Sequence, residues 1–385
     1  MNSMDKNLNI PPSRQREKPG QNLKWIGQNM KRVEDPRLLT GQGRYIDDID
    51  LPNLLHAAVL RSSRAHARIK SISIEAAKKL PGVFKVLTGE DVAKATGPLP
   101  CFANPPVEQR CIAVGKVRHV GEPVAVVVAE NRYIAEDAVD LIEVEYEELP
   151  VVVDALAAMT SSGDAVLHPE RGQNNIAHQK RFKFGSVDED FAKAAKVIRR
   201  HLLWPRSGAQ PMETVGAIAQ YDSGTGKFNV HINGSMYNYL GFTMAGALGI
   251  PGHKLNLIPC IAGGSFGSKL FTHKVPILAA SLARICRRPV KYIEDRIDNT
   301  TACDNHGSDR IYDAELALDA DNNMIGLRCK VIDDYGAYFQ YGVGHHGNAL
   351  SQITGPYQIR SVDLDLTAVF TNKCQQGAYR GFGSE

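Results

Sequence analysis

Two stretches of this 385-residue chain carry residue types and spacings that can do chemistry. The first is the loop Ala262-Gly263-Gly264-Ser265-Phe266-Gly267-Ser268-Lys269. Its glycines allow a backbone to approach a ligand closely. They also open left-handed conformations that turn successive amides toward one point, where an anion or an oxygen ligand would sit. A tight turn that only docks a strand on a helix uses the same residues, so the cluster decides nothing by itself. The second is Thr371-Asn372-Lys373-Cys374-Gln375-Gln376-Gly377-Ala378-Tyr379-Arg380-Gly381-Phe382-Gly383-Ser384-Glu385. Here glycines surround Arg380, whose planar fork of donors matches oxygen ligands and phosphates. An ion pair with Glu385 is the ordinary alternative.

The elements that must position these loops can be read from periodicity. The apolar run Lys254 to Ile258 reads as a strand leading into the glycine loop. Val275 to Ile285 is apolar on nearly every face, with Pro276 in its first turn, and reads as a buried helix leading away. Tyr239 to Leu248 reads as a helix ended by Gly249 and Pro251. Val215 to Tyr221 with Phe228 to Ile232, and Tyr312 to Leu318 with Met324 to Asp333, read as hairpins, and Pro289 to Glu294 as a strand. Farther upstream, Leu55 to Leu60, Val83 to Leu87 and Val144 to Tyr146 read as strands. Pro123 to Ala129 reads as a strand buried on both faces, followed by a helix from Asn131, its N-cap, to Ile142. Histidines 56, 66 and 119 read as surface or capping groups. The polar run Thr160-Ser161-Ser162-Gly163-Asp164 suggests a linker. The resulting division is a disordered segment at 1–21, an α/β domain at 22–155, a linker at 156–177 and a second, mixed α/β domain at 178–385, with no strand pairing across the linker.

Composition narrows the class. Hydrophobic content of 43% and charged content of 23% are ordinary for a globular chain long enough for two or three domains. With 45 basic and 42 acidic residues, the charge balance gives no reason to invoke nucleic acid or an anionic membrane. No apolar run reaches the ~18 residues of a spanning helix. Seven cysteines include no Cys-x-x-Cys pair, which gives no zinc or iron–sulfur signature and points to reduced thiols and a cytoplasmic setting. No Gly-x-Gly-x-x-Gly opens a helix after a strand, which argues against an ordinary dinucleotide-dependent dehydrogenase.

The two loops together resemble a known family. GGSFGSK is similar to the GGGFGGK loop of the molybdenum hydroxylases, the family of xanthine dehydrogenase and aerobic carbon monoxide dehydrogenase. TNKCQQGAYRGFGSE is similar to that family's second loop, TNxxPxGAxRGFGxPE. GQGRYIDDI, RSSRAHARI, LPGVFKVLTGEDV, VGEPVAVVVAE and AEDAVDLIEVEYEELPVV resemble its small α/β hammerhead domain. The resemblance implies an α+β architecture, a hammerhead followed by the first part of a molybdopterin-binding domain. It implies molybdenum held by a pterin dithiolene rather than by side chains, with molybdopterin cytosine dinucleotide the expected form. It also implies that Gly263, Gly264, Phe266 and Gly267 lie at the cofactor, opposite Ala378, Tyr379, Arg380 and Gly381, so the two loops are expected to converge. The activity implied is water-dependent hydroxylation of an aldehyde, N-heterocycle or similar small substrate, with electrons passed to iron–sulfur and FAD subunits.

Departures from the family pattern sharpen these expectations. Ser235 stands at the position where the family's glutamine faces the apical ligand. Gly381 follows Arg380 where carbon monoxide oxidisers carry cysteine, which argues against copper-assisted chemistry and leaves a carbon monoxide dehydrogenase-like subunit lacking that cysteine as an alternative. Leu270 follows Lys269 where purine oxidases carry glutamate. Glu213, in Pro211-Met212-Glu213-Thr214, is expected to be a structural carboxylate. Family subunits continue for several hundred residues past the second loop and carry their general base there. No catalytic base is therefore assigned in this chain. A separately encoded C-terminal half or downstream chain is the expected partner, and a truncated, non-catalytic cofactor-binding module is the alternative.

Overall fold

The computed structural model describes residues 24–25, 29–101, 106–270, 273–301, 306–339 and 342–381. The expected disordered segment 1–21 lies outside them. The chain divides into two compact units, Met1–Gly43 and Arg44–Glu385. Within the first, a short helix spans Asp35–Leu39.

Among the described residues, fifteen strands build the second unit. In chain order they are β1 (Leu55–Arg61), β2 (Ala67–Ser73), β3 (Val83–Thr88), β4 (Lys116–Val117), β5 (Pro123–Ala129), β6 (Glu143–Glu148), β7 (Ile176–Phe184), β8 (Lys196–Trp204), β9 (Gly216–Asp222), β10 (Lys227–Ile232), β11 (Leu255–Pro259), β12 (Val290–Ile293), β13 (Arg310–Leu318), β14 (Met324–Asp334) and β15 (Ser361–Val369). They form a seven-stranded sheet in the order β11-β10-β9-β12-β1-β5-β3, a five-stranded sheet β7-β15-β14-β13-β8 and a three-stranded sheet β4-β2-β6.

The large sheet corrects the expected division. β1 pairs in parallel with β12, Leu55 opposite Val290 and Ala57 opposite Tyr292. Strands from before and after residues 156–177 therefore share one sheet, and the stretch between is not a free linker. Leu167, His168 and Asn175 are buried. The Asn175 side chain accepts from the Leu167 amide at 2.8 Å and donates to the Ala165 carbonyl at 2.9 Å. Five short polar residues read as flexible, but burial of their apolar neighbours holds them.

Local expectations hold where pattern and burial agree. Every residue of β5 is buried, as its unbroken apolar run requires. The Asn131 side chain caps the helix Arg132–Val139 by accepting from the Ile134 amide at 3.0 Å. The helix Lys274–Cys286 lies under the large sheet, with Ile277, Leu278, Ala280 and Leu282 in one core with Val215, Phe228, Val230 and Tyr292. The helix Tyr237–Leu248 closes with Gly249 at φ 65°. His66 and His119 are not surface groups. Both are buried, and the His66 Nδ1–H donates to the Pro150 carbonyl at 2.7 Å.

Candidate functional site

The glycine loop leaves β11 and is shaped by one carboxylate. Glu213 Oε2 accepts from the Gly263 amide at 2.7 Å and from Lys269 Nζ at 2.9 Å. In return the Glu213 amide donates to the Gly263 carbonyl at 3.2 Å, and the Ile46 amide donates to Glu213 Oε1 at 3.4 Å. The Lys269 side chain is fully buried. Burial lowers its pKa, opposed first by the Glu213 carboxylate and then by Glu294. Gly263 must be glycine for space, because a Cβ there would come within 2.5 Å of the Glu213 Cβ. Ser235 donates twice to the Lys269 carbonyl, from its amide at 3.2 Å and from Oγ at 3.3 Å. Its short side chain is thereby engaged on the end of the loop. The amides of Gly264, Ser265, Phe266 and Gly267 make no hydrogen bond among the described residues.

The second loop follows β15 and is held at its stem by a network of buried and half-buried charges. Thr371 Oγ1 donates to Asp334 Oδ1 at 2.6 Å, and Lys373 Nζ lies 2.9 Å from both Asp309 Oδ2 and Asp334 Oδ2. Burial alone would depress Lys373, yet Asp334 and Asp309 raise it above its ordinary value. Arg206 donates to the Cys374 carbonyl at 2.5 Å and the Asp334 carbonyl at 2.6 Å. Gln376 donates to Asp333 Oδ1 at 2.7 Å. Asn372 ties the stem to the hammerhead segment, donating to the Arg118 carbonyl at 2.8 Å and accepting from the Val152 amide at 2.8 Å.

The loops meet directly. The Arg380 amide donates to the Phe266 carbonyl at 3.0 Å, and the Arg380 guanidinium lies 4.5 Å from the centre of the Phe266 ring and 5.9 Å from that of Tyr379. Gly267 has φ 100°, and a Cβ on it would lie 2.5 Å from the Ala378 carbonyl oxygen. Only glycine permits that approach. Arg380 is exposed and forms no ion pair among the described residues; Glu385 lies outside them.

The donors gathered here are backbone amides and a stacked guanidinium. Such a set binds oxo or phosphate oxygens rather than a bare metal ion. Among the described residues no group of three or more His, Cys, Asp or Glu side chains could hold a metal ion. Two surface cavities among the described residues are lined by other residues. One of about 770 Å³ adjoins Tyr237, Phe242 and Leu257. Another, of about 520 Å³, sits on the five-stranded sheet, where Asp363, Arg328, Glu315 and Arg199 form a cross-strand row of alternating charge. Sequence reasoning missed Arg206, Asp309 and Asp334, which reach the site only by folding and carry no local signal.

The chain as a whole is similar to known proteins. The family model described as molybdopterin cofactor-binding domain matches residues 167–385, and that described as aldehyde oxidase and xanthine dehydrogenase, a/b hammerhead domain matches residues 40–150. The 6-hydroxypseudooxynicotine dehydrogenase complex subunit gamma of Paenarthrobacter nicotinovorans is 35% identical over 379 residues, covering 94% of this chain and 46% of that protein. The crystal structure of quinoline 2-oxidoreductase from Pseudomonas putida 86 superimposes with a TM-score of 0.85 at 39% identity, covering 92% of this chain and 45% of that one. The nicotinate dehydrogenase large molybdopterin subunit of Eubacterium barkeri is 28% identical over 364 residues, covering 94% of this chain and 83% of that protein. The chain thus spans about half the length of the first two and most of the third.

Proposed function

The chain belongs to the molybdenum hydroxylase family, and from that premise we propose that it forms part of the molybdopterin-binding large subunit of an enzyme that hydroxylates an N-heterocyclic or related small substrate. The observation that carries the proposal is the contact of the two loops, with the Arg380 amide on the Phe266 carbonyl and the Arg380 guanidinium on the Phe266 ring. The names of the three similar proteins, which refer to hydroxypseudooxynicotine, quinoline and nicotinate, support an N-heterocycle over an aldehyde.

When bound, molybdopterin would supply the redox centre at which oxygen from water reaches substrate carbon. The chain's own residues bind and orient. The amides of Gly264 to Gly267 offer donors to the cofactor's oxygens, with Gly263 and Gly267 allowing the backbone to approach. Arg380, kept in place by stacking, offers charged donors to an oxygen ligand or to a phosphate, the latter in a cytosine dinucleotide form. Ala378, Tyr379 and Gly381 complete that wall. Ser235, whose hydroxyl is directed to the Lys269 carbonyl, would reach the cofactor through a bridging water.

The general base is supplied from outside these 385 residues, in the same polypeptide or in another, and electrons leave through iron–sulfur and FAD subunits in the cytoplasm. The partial coverage of two of the similar proteins supports placing the base outside these residues. So do the exposed apolar side chains on the edge strands of the five-stranded sheet, Phe182 and Phe184 on β7 and Leu202 and Trp204 on β8. Among the described residues no helix is long and apolar enough to cross a membrane. The test is molybdenum and pterin analysis of the purified chain, alone and co-expressed with the coding region that follows it. Stoichiometric molybdenum and pterin, with turnover of an N-heterocycle only in the co-expressed form, is expected. Absence of both molybdenum and pterin from either preparation would refute the reading, and cofactor without turnover in both would favour a non-catalytic binding module.

A further inference from the structure

We propose that His306 is a positioning residue that joins the two loops from behind, closing a ring of hydrogen bonds around the site through Cys374. The ring can be followed bond by bond. Glu213 holds the glycine loop through Gly263 and Lys269. The segment preceding Glu213 is held in turn by Arg296, which donates to the carbonyls of Pro211 at 2.6 Å and Met212 at 2.8 Å. Arg296 begins the helix Arg296–Thr301. Near the other end of that helix, the Thr300 carbonyl lies 3.1 Å from His306 Nε2. A carbonyl only accepts, so Nε2 carries the hydrogen and Nδ1 is left as an acceptor. Cys374 Sγ lies 3.0 Å from Nδ1, so the thiol must be the donor.

The backbone reinforces the join. The His306 amide donates to the Gln375 carbonyl at 3.3 Å, and the Gly377 amide donates to the His306 carbonyl at 2.6 Å. The chain then runs through Ala378 to Arg380, whose amide returns to Phe266 in the glycine loop. Loop one, its carboxylate clamp, the helix, His306, Cys374 and loop two are thus connected in a circuit.

A cysteine beside a histidine also suggests a nucleophile, but the surroundings exclude the ion pair that role needs. Burial lowers the His306 pKa to about 4, with Arg206 acting in the same direction. Burial raises that of Cys374. Both groups are neutral near pH 7, and the S–H···N contact is a hydrogen bond. Its energy matters because it links elements far apart in sequence. Beside it, the backbone bonds of His306 join the helix Arg296–Thr301 to the stem at Cys374.

The inference deepens the functional reading, since it takes these loops to face the cofactor, but its test needs no cofactor. Amide hydrogen exchange of the full chain is followed by mass spectrometry over 262–269 and 374–381 in the wild type, Cys374→Ala, Cys374→Ser and His306→Gln. Loss of one buried hydrogen bond corresponds to about tenfold faster exchange. Cys374→Ala is expected to accelerate both segments about tenfold, and Cys374→Ser, which keeps a donor, to stay within about twofold of wild type. In His306→Gln the amide can reach Thr300 but leaves nothing at the Nδ1 position, so both segments accelerate as in Cys374→Ala. That variant carries the test if Cys374→Ala does not fold. Acceleration confined to 374–381, or a serine variant that behaves like alanine, overturns the proposal. Absence of molybdenum and pterin in the wild type would refute the functional reading while leaving this ring intact, so the two failures are separable.

Discussion

The two loops that meet at Phe266 and Arg380 are anchored in opposite ways. The glycine loop has a single carboxylate as its charged anchor. Glu213 takes the Gly263 amide and the Lys269 ammonium on the same oxygen, and the lysine has no exposed surface through which water could replace it. The stem of the second loop shares its charges among Asp309, Asp334, Arg206 and Lys373, each with more than one contact. A loop held by one buried pair is precise but fails at one point. A loop held by a network loses less with each deletion, because the remaining partners still solvate the charge.

Substitutions can break or sharpen that contrast, and the largest effect falls on the single clamp. Glu213→Leu strands a buried lysine and should cost about 3–5 kcal/mol of unfolding free energy by urea titration. Pairing it with Lys269→Met should recover most of that loss, since no unpaired charge remains. A Glu213→Leu loss as small as that of Thr371→Val, which removes one contact from the network, would remove the contrast.

The point where the loops touch comes next. Gly267→Ala forces a side chain into a left-handed backbone and against the Ala378 carbonyl. It should cost about 1–3 kcal/mol and reduce bound molybdenum and pterin per chain. Cofactor content unchanged from wild type would show that close approach at this position is not required.

Acid should then weaken the network side. The folded pKa values of His66 and His306 are each lowered to about 4, chiefly by burial, from an ordinary value near 6.5. The folded chain therefore binds fewer protons than the unfolded one between those values. Stability is unaffected above about pH 6.5 and falls as the pH drops from there toward 4. Urea midpoints measured from pH 8 to pH 4 should show this decline, and His306→Gln should make it shallower. A decline of equal steepness in that variant would mean that His306 takes no part.

Ser235→Ala should have the smallest effect. Its hydroxyl contact to the Lys269 carbonyl is long, and its amide bonds the same atom. A loss under about 1 kcal/mol is expected. A larger loss would show a second support for the glycine loop and narrow its difference from the other.

Much of this was legible before folding. The β5 run, the Asn131 cap, the helix after the glycine loop and the hairpins follow from periodicity and capping, which act over a few residues. The two loop motifs marked the segments that meet at Phe266 and Arg380. The histidines at 66 and 119 were misplaced because a lone polar residue on an amphipathic segment reads as exposed, and only the packing of another segment over it says otherwise. The stretch 156–177 reads as a linker for the same reason.

Sequence by itself therefore determined which residues could approach a ligand, because a glycine's freedom and an arginine's charge are properties of the residue. Tertiary structure alone decided that Asp309 and Asp334 stabilise Lys373, that β1 joins β12 across the supposed linker, and that Thr300 orients His306 toward Cys374. Those contacts link residues far apart along the chain. Their strength depends on burial and angle, and neither exists until the chain has folded.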